Sequence, residues 1–403
     1  MAPPPRHPLD ASTVVGVVGA GAMGTGIAQV ASSAGHRVVL ADSMGGAVDR
    51  ARASIVKAVA RDVEKKRMTS EAADALVSRI DFRAEPLDFE RSPYHRCGLV
   101  IEAIVEDLAA KRSVVQRLSI STRDALLATN TSSLSVTAIA AACPSPDRVI
   151  GLHFFNPPPL MPLVEVVPRA GGSAPLVEEC VQLMRAWGKV PVVASDTPGF
   201  IVNRVARPFY GESIRILEEG IADCATIDWA MRELAGFRMG PFELMDFIGN
   251  DVNYAVTRAV YDGMFNDPRY KPSITQQRLV EAGRFGRKSG RGYYDYGSGA
   301  TAAEPTKDPA LGRQVVDRVL AMLMNEAIDA VYMRVASPAD VDLAMTRGVN
   351  YPKGLLAWAD ELGAAVVLER MERLQAEFGE DRYRASPLLK RTARASGRFL
   401  PSA

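Results

Sequence analysis

Apolar residues in the first half of the chain come in short continuous runs, not in alternation with polar ones. The clearest are Val14-Val15-Gly16-Val17-Val18, Val38-Val39-Leu40-Ala41, Cys97 to Ala103, Ala125 to Thr129, Val149 to Phe154 and Leu163 to Val167. Runs of this kind, rich in β-branched residues, mark strands buried on both faces of a parallel sheet. A helical stretch from Thr25 to Ala34 follows the first run, with Gly35 as its stop, and Met44 to Ser92 reads as one long helical region. Asp196-Thr197 ahead of Pro198 predicts a helix start, with capping side chains before a proline in the first turn. There the sheet-forming part gives way to a helical one, with Asn203 one turn into the new helix.

The turn after the first run carries chemistry. Gly19-Ala20-Gly21-Ala22-Met23-Gly24 follows a strand, opens a helix, and is succeeded by a second strand that ends at Asp42. A glycine-rich turn alone is a weak signal; in this setting it is a dinucleotide-binding turn. Gly19 permits the tight turn, Gly21 lets backbone approach a pyrophosphate, and Gly24 lets helix pack on strand. The helix N-terminus then attracts the phosphates. A carboxylate at Asp42 accepts from ribose hydroxyls and repels a 2′-phosphate, and the neighbouring Ser43 and Met44 offer no arginine, so NAD is favoured over NADP. Two later strands end in polar residues, beyond which ligands of open α/β sheets sit. Glu106, Lys111 and Asn130-Thr131-Ser132-Ser133 lie there.

Composition narrows the class. With 403 residues, the chain is long enough for two or three domains. Lys+Arg is 48 against Asp+Glu 47, a balance that argues against a nucleic-acid or membrane surface as partner. No apolar run approaches the ~20 residues of a membrane helix, and Met1 to Asp10 is proline-rich without the apolar stretch of a secretory signal. Cys97, Cys143, Cys180 and Cys224 lie far apart, which excludes a disulfide framework or a cysteine-based zinc site and leaves no metal expected. A protein of a reducing cytoplasm is expected. The basic knot Lys65-Lys66-Arg67 reads either as a solvated helix face or as an anchor for a phosphate-bearing substrate tail.

His153 lies inside an apolar run, where a histidine is more often a satisfied core side chain than a catalyst. Its position near a strand end and Glu165 on the next apolar run change that balance. Oxidising an alcohol with NAD needs a base of near-neutral pKa. A histidine oriented by a buried carboxylate fits the task.

These segments together resemble the L-3-hydroxyacyl-CoA dehydrogenase family. The resemblance rests on the glycine turn, Glu102-Ala103-Ile104-Val105-Glu106, Asn130 to Ser133, His153-Phe154-Phe155-Asn156-Pro157 and Asp196-Thr197-Pro198-Gly199-Phe200-Ile201-Val202-Asn203-Arg204. It continues through Met239 to Leu244 and Phe285 to Gly290, and covers the chain from about residue 12 to its end. It implies a Rossmann-type α/β NAD-binding domain followed by all-α domains of the 6-phosphogluconate-dehydrogenase type. It also implies His153 as catalytic base oriented by Glu165, Ser132 and Asn203 on the substrate's 3-oxygen, and Asn156 at the nicotinamide end. Ala22, Met23, Ala103, Glu106, Lys111, Asn130, Ser132 and Lys288 join Gly19, Gly21, Gly24 and Asp42 as NAD contacts. Lys65 and Lys66 match the region that holds the CoA phosphates, where Ala58 replaces a family serine.

The helical part is written twice. Arg204, Val205, Glu212, Ile214, Ala222, Asp228, Ala230, Met231, Gly240, Asp246 and Gly249 all recur 114 residues later, from Arg318 and Val319 to Asp360 and Gly363. Two copies of one module are therefore expected. The boundaries follow: a disordered tail over 1–11, the NAD-binding domain over 12–195, a helical domain over 196–297, a linker over 298–312 and a second copy over 313–403. Asp317 stands where the first copy has Asn203, and Ala395 opposite Lys288, so the second copy is catalytically silent. Short relatives dimerise through this module; a tandem copy makes an intramolecular pseudo-dimer, with a monomer or a weak homodimer in solution. Long bacterial relatives resembling 3-hydroxyadipyl-CoA dehydrogenases share the second copy. The expected function is NAD-dependent interconversion of (S)-3-hydroxyacyl-CoA and 3-oxoacyl-CoA, in β-oxidation or phenylacetate-type degradation. A dehydrogenase of a free 3-hydroxy acid and a non-catalytic NAD-binding protein are the alternatives.

Overall fold

A computed structural model describes residues 9–84, 92–122, 124–301 and 303–401. The chain divides into two compact units between Thr197 and Pro198. The first unit is built on one sheet of β1 (Val15–Val18), β2 (Val38–Ala41), β3 (Ile80–Arg83), β4 (Leu99–Glu102), β5 (Leu126–Thr129), β6 (Val149–Phe154), β7 (Leu163–Pro168) and β8 (Val190–Val193). Their spatial order is β3-β2-β1-β4-β5-β6-β7-β8. All neighbours run parallel except β6 and β7. The helices are α1 (Ala22–Ser33), α2 (Ala47–Glu64), α3 (Ser70–Ser78), α4 (Leu108–Ser121), α5 (Val136–Ala140) and α6 (Ala174–Ala186). Val17, Leu99, Ile101 and Leu152 face one hydrophobic core with Ile27 and Ile55, while Val18, Val100 and Leu127 face another with Leu118 and Ile139. Burial on both faces is why the strands show no polar alternation. Strand order reverses between β1 and β4, which puts a ligand crevice beyond their carboxyl ends.

The glycine turn fills that position. A Cβ on Gly24 would lie 1.8 Å from the Gly19 carbonyl oxygen, so only glycine lets α1 sit this close to the turn. Gly21 caps α1 without a side chain to accept hydrogen bonds, and a Cβ there would meet no atom within 4 Å. The start of α1 is thus open to a ligand.

Two local expectations need correction. Residues 44–92 are not one helical region: α2 and α3 are followed by β3, which pairs with β2 through Val38↔Ile80 and Leu40↔Phe82. Sheet pairing overrides helical propensity there. Nor does a helix start at Pro198. Gly199 and Phe200 have φ values of 77° and 46°, so the next helix begins at Val202. Asp196 caps α5 instead, accepting from Ser135 Oγ and from the amides of Val136 and Thr137. Of the expected tail, residues 1–8 lie outside the described residues, and the Leu9 amide donates to Glu179 at 2.6 Å.

The second unit contains α7 (Val202–Val205), α8 (Arg207–Glu218), α9 (Cys224–Trp229), α10 (Pro241–Ile248), α11 (Asn250–Gly263) and α12 (Ile274–Glu281). They are followed by α13 (Pro309–Tyr332), α14 (Pro338–Gly348), α15 (Leu355–Leu362), α16 (Ala364–Phe378) and α17 (Pro387–Arg394). The repeat is structural. Asp228 accepts from the amides at the start of α10, and Asp342 does the same at the start of α15. Asp246 holds the Tyr293 and Tyr294 amides; Asp360 holds those of Phe399 and Leu400. The two copies grip each other reciprocally. Arg204 Nε donates to Glu326 at 2.7 Å and Arg318 Nε to Glu212 at 2.6 Å; the Tyr270 and Tyr383 hydroxyls donate to the same two glutamates. Such i-to-j, j-to-i pairing is the signature of a two-fold interface, here inside one unit. The helix of the first copy breaks at Ala206 because Pro208 supplies no amide, whereas Met322 lets α13 run on. Helix α13 begins at Pro309, capped by Asp308, within the stretch expected as linker.

All four cysteines remain thiols. Among the described residues no helix is long and apolar enough to cross a membrane.

Candidate active site

His153 and Glu165 owe their meeting to strand register. The strands β6 and β7 are antiparallel with His153 directly opposite Glu165, so both side chains leave the same face. His153 Nδ1 lies 2.6 Å from Glu165 Oε2, and the two residues are 6% and 0% exposed. The Phe155 ring lies beside the imidazole, 4.5 Å between centroids. A buried carboxylate on one ring nitrogen fixes the tautomer and offsets a positive charge on the ring. The next strand contributes to placement, since the Asn130 side-chain oxygen accepts from the Phe154 amide at 2.8 Å.

The loop after β5 is clamped by a single carboxylate. Glu106 Oε1 accepts from Thr131 Oγ1 at 2.7 Å, from the Ser132 and Ser133 amides at 2.8 and 3.0 Å, and from both serine hydroxyls. Partial burial pushes the Glu106 carboxyl up, but Lys111 and these donors outweigh it and hold the group below its ordinary value of 4.5. A depressed carboxylate contributes fully above the unfolded value and loses its contribution as pH falls through the folded one. The melting-temperature advantage of the natural chain over Glu106→Gln should therefore be constant near neutrality and shrink below about pH 4.5. A gap that widens on acidification would contradict the assignment.

Lys111 is 1% exposed, with Nζ 2.7 Å from Glu102 and 3.3 Å from Glu106. It faces these two acids. Glu102, which the sequence showed only as the end of an apolar run, also accepts from Thr129 Oγ1 and the Ile104 amide. It ties β4, β5 and α4 together beneath the loop. The signal was there in retrospect: an acid closing an otherwise apolar strand, nine residues before a lysine on a helix.

Asp42 accepts from the Ala20 amide at 2.7 Å and the Met44 amide at 2.8 Å. It stands where two clefts of about 720 Å³ each meet. One cleft runs past Met23, Ala103, Ile104 and Val114 to Arg117. The other runs along α2 past Arg50, Ser54, Ala58, Arg61 and Lys65, with Asn156 on its far wall. Gly21 and Ala22 line both. Lys66, by contrast, lines neither cleft, and its backbone has φ 55°. Arg50 and Arg61 of the second cleft carry no signal in the sequence reading although they fall on one stripe, Arg50, Ser54, Ala58, Arg61 and Lys65 being three or four residues apart. Among the described residues no cluster of three or more His, Cys, Asp or Glu side chains is arranged to hold a metal.

Asn203 and Lys288 belong to the second unit. Asn203 is in α7, with its carbonyl accepting from Arg207 Nε at 2.8 Å. Lys288 is half-exposed and pairs with Asp251 at 2.6 Å.

The chain is similar throughout to proteins of known activity. The 3-hydroxyacyl-CoA dehydrogenase NAD-binding domain model matches residues 14–197, and the model of that enzyme's C-terminal domain matches twice, over 199–296 and 315–398. The Escherichia coli K12 protein named 3-hydroxyadipyl-CoA dehydrogenase is 38% identical over 94% of this chain and 97% of its own length. Human mitochondrial hydroxyacyl-coenzyme A dehydrogenase is 40% identical over 70% of this chain and 90% of its own. A crystal structure of 3-hydroxybutyryl-CoA dehydrogenase from Escherichia coli K12 superposes with a TM-score of 0.89 at 36% identity, covering 96% of this chain and 99% of that one.

Proposed function

Since this chain belongs to the 3-hydroxyacyl-CoA dehydrogenase family and is an NAD-dependent oxidoreductase of hydroxyacyl-CoA, we propose that His153 is its general base and acid, oriented by Glu165. The observation that carries this reading is the buried 2.6 Å contact between them at one register position. With Nδ1–H donated to Glu165, the lone pair sits on Nε2, which takes the proton of the substrate's 3-hydroxyl. Glu165 then stabilises the imidazolium. Bound NAD supplies the hydride acceptor. Ser132, positioned by Glu106, and Asn203 are assigned to the substrate's 3-oxygen. Asn156 is assigned to the nicotinamide end.

The cofactor fits what the first unit offers. The open glycine turn at the start of α1 suits a pyrophosphate, and the two acceptor oxygens of Asp42 suit ribose hydroxyls. Ala103 and Met23 line the cleft on one side of Asp42, and Lys65 the cleft on the other, where a CoA phosphate would find Arg61 as well. Lys111 acts on the cofactor side through Glu106, and Lys66 stands with Lys65 as the proposed anchor for the CoA phosphates. Asp42→Ala should weaken NAD binding and narrow the preference for NAD over NADP by about tenfold or more, since one charged hydrogen bond is worth about 1.5–3 kcal/mol. Wild-type enzyme that uses both cofactors equally well would contradict the role of Asp42.

We further infer that 12–195 is the NAD-binding domain, 196–297 a helical domain of substrate-binding and dimerisation type and 313–403 its silent copy. The ion pair of Asp317 with Arg370, 3.1 Å, supports the last point, because the residue in Asn203's place is engaged elsewhere. One chain then suffices for activity. Removing everything after Gly297 would strip Glu326 from Arg204, a guanidinium 2% exposed. Breaking such a buried pair typically costs about 3–5 kcal/mol, and the uncovered face is an aggregation liability. Light scattering should show the truncated chain aggregating or forming a new tight dimer. A truncated chain that stays monomeric and melts at the full-length temperature would overturn the pseudo-dimer. Four thiols are consistent with a cytoplasmic location.

The reaction is tested by NADH absorbance with (S)-3-hydroxybutyryl-CoA and with the free acid. Turnover of the thioester and little of the acid is expected; turnover of the acid alone would favour the free-acid reading, and turnover of neither would contradict both.

A further inference from the structure

The second unit holds a charged group that the reaction above does not use. Arg207, the first residue of α8, is 6% exposed. No carboxylate among the described residues lies within the 4.0 Å of an ion pair. Its hydrogen bonds go to neutral acceptors only: Nε to the Asn203 carbonyl at 2.8 Å, Nη1 to the Thr257 hydroxyl at 3.0 Å and to the Asn253 carbonyl at 3.5 Å. The other buried arginines of this unit behave differently. Arg204, Arg318 and Arg382 each pair with a carboxylate. A cation taken out of water without an opposite charge is among the costliest groups to bury, and burial pulls the Arg207 guanidinium below its ordinary value.

A second observation stands beside it. The Tyr210 ring lies 5.0 Å beneath the Arg207 guanidinium carbon, and Phe209 packs against both Tyr210 and Tyr351, with ring centroids 5.5 and 5.8 Å away. Tyr351 comes from the second helical copy and is 5% exposed, and its hydroxyl is buried without any hydrogen bond. Its ring is fixed by Phe237 and Phe209, with centroids 4.9 and 5.8 Å away. A phenol hydroxyl normally finds a partner when buried. An uncompensated guanidinium and an unsatisfied O–H donor in one cluster both call for an acceptor that carries negative charge.

We propose that Arg207 and Tyr351 receive the terminal carboxylate of a dicarboxylic hydroxyacyl chain, and so set a preference for such substrates. This rests on the reading of Asn203 as the residue at the substrate's 3-oxygen. Arg207 follows Asn203 by four residues, across the break at Ala206, and its Nε donates to the Asn203 carbonyl at 2.8 Å. In a six-carbon dicarboxylic chain the carboxylate carbon lies three C–C bonds beyond carbon 3, about 4 Å away at ~1.5 Å per bond, a short span that suits a guanidinium held on the backbone of the residue at carbon 3. The planar guanidinium suits a carboxylate, and the Tyr351 hydroxyl adds a further donor. The second helical copy would then have a part in the site despite lacking catalytic residues, because it supplies Tyr351.

The test compares kcat/KM for 3-hydroxyadipyl-CoA and 3-hydroxybutyryl-CoA on the full chain, on Arg207→Met and on Tyr351→Phe. The natural chain should favour the carboxylate-ended substrate by tenfold or more. Arg207→Met should abolish that ratio, mainly through KM, and Tyr351→Phe, which removes one oxygen and keeps the ring, should lower it three- to tenfold. No preference in the natural chain, or an equal loss on both substrates in both variants, would overturn the proposal and leave Arg207 as a brace for Asn203. If neither thioester is oxidised, the reaction reading fails separately. Calorimetric binding of adipyl-CoA against hexanoyl-CoA then decides: a preference for adipyl-CoA that Arg207→Met removes supports the receptor, and equal binding overturns it. Should Arg207→Met fail to fold, Tyr351→Phe carries the same comparison.

Discussion

Replacing His153 by glutamine is expected to lower kcat by at least ~100-fold, because positioned acid–base catalysis is worth about 10²–10⁴. Glutamine keeps a similar size and a hydrogen-bonding end for Glu165, so the buried strand pair survives. What it loses is a ring nitrogen that can accept the substrate's proton and give it back. The Gly19 turn and Asp42 lie on β1, α1 and the end of β2, and Glu165 remains in place. NAD affinity should accordingly stay within about threefold of the natural chain when measured by fluorescence titration. A variant that turns over at a rate within about threefold of the parent would remove His153 from its role, whatever its distance to Glu165.

Glu165→Gln is the second large effect. Glu165 is wholly buried and faces Nδ1 at 2.6 Å. A neutral amide can turn its NH₂ toward Nδ1, which puts the ring proton on Nε2 and leaves the nitrogen that must act as base without its lone pair. It also withdraws the negative charge that stabilises the imidazolium. Changing an equivalent carboxylate to its amide in a serine protease costs about 10⁴ in kcat, so a loss of about 10²-fold or more is expected here, with KM changing much less. Because the side chain is nearly isosteric, the melting temperature should move by only a few degrees. An unchanged kcat would reduce Glu165 to a core residue that His153 happens to satisfy.

Much of this arrangement is legible in the sequence. The apolar runs of β1, β2, β4, β5, β6 and β7 were continuous because both sheet faces are covered, and the glycine turn carried its own explanation in the 1.8 Å between a Gly24 Cβ and the Gly19 carbonyl. The repeat at a constant offset forecast the paired caps of Asp228 and Asp342. What escaped was set by tertiary partners. Residues 80–83 became a strand because β2 offered an edge, and Asp196 looked like the cap of the helix that follows it because its true partners, the amides of α5, lie some sixty residues earlier. Within the basic Lys65-Lys66-Arg67 knot, which follows the end of α2, Lys65 and Arg67 line the α2 cleft and Lys66 takes a left-handed backbone. Arg207 illustrates the same limit. Nothing in its own neighbourhood in the chain tells that this buried charge lacks a carboxylate partner.

The central claim is that the chain moves hydride from carbon 3 of a hydroxyacyl-CoA to NAD while His153 takes the hydroxyl proton. Its most direct test is oxidation of (S)-3-hydroxybutyryl-CoA carrying deuterium at carbon 3, followed by mass analysis of the reduced nicotinamide. One deuterium per turnover should be recovered in that product, with none in the solvent. Deuterium released to water, or turnover without reduced nicotinamide, would contradict the account.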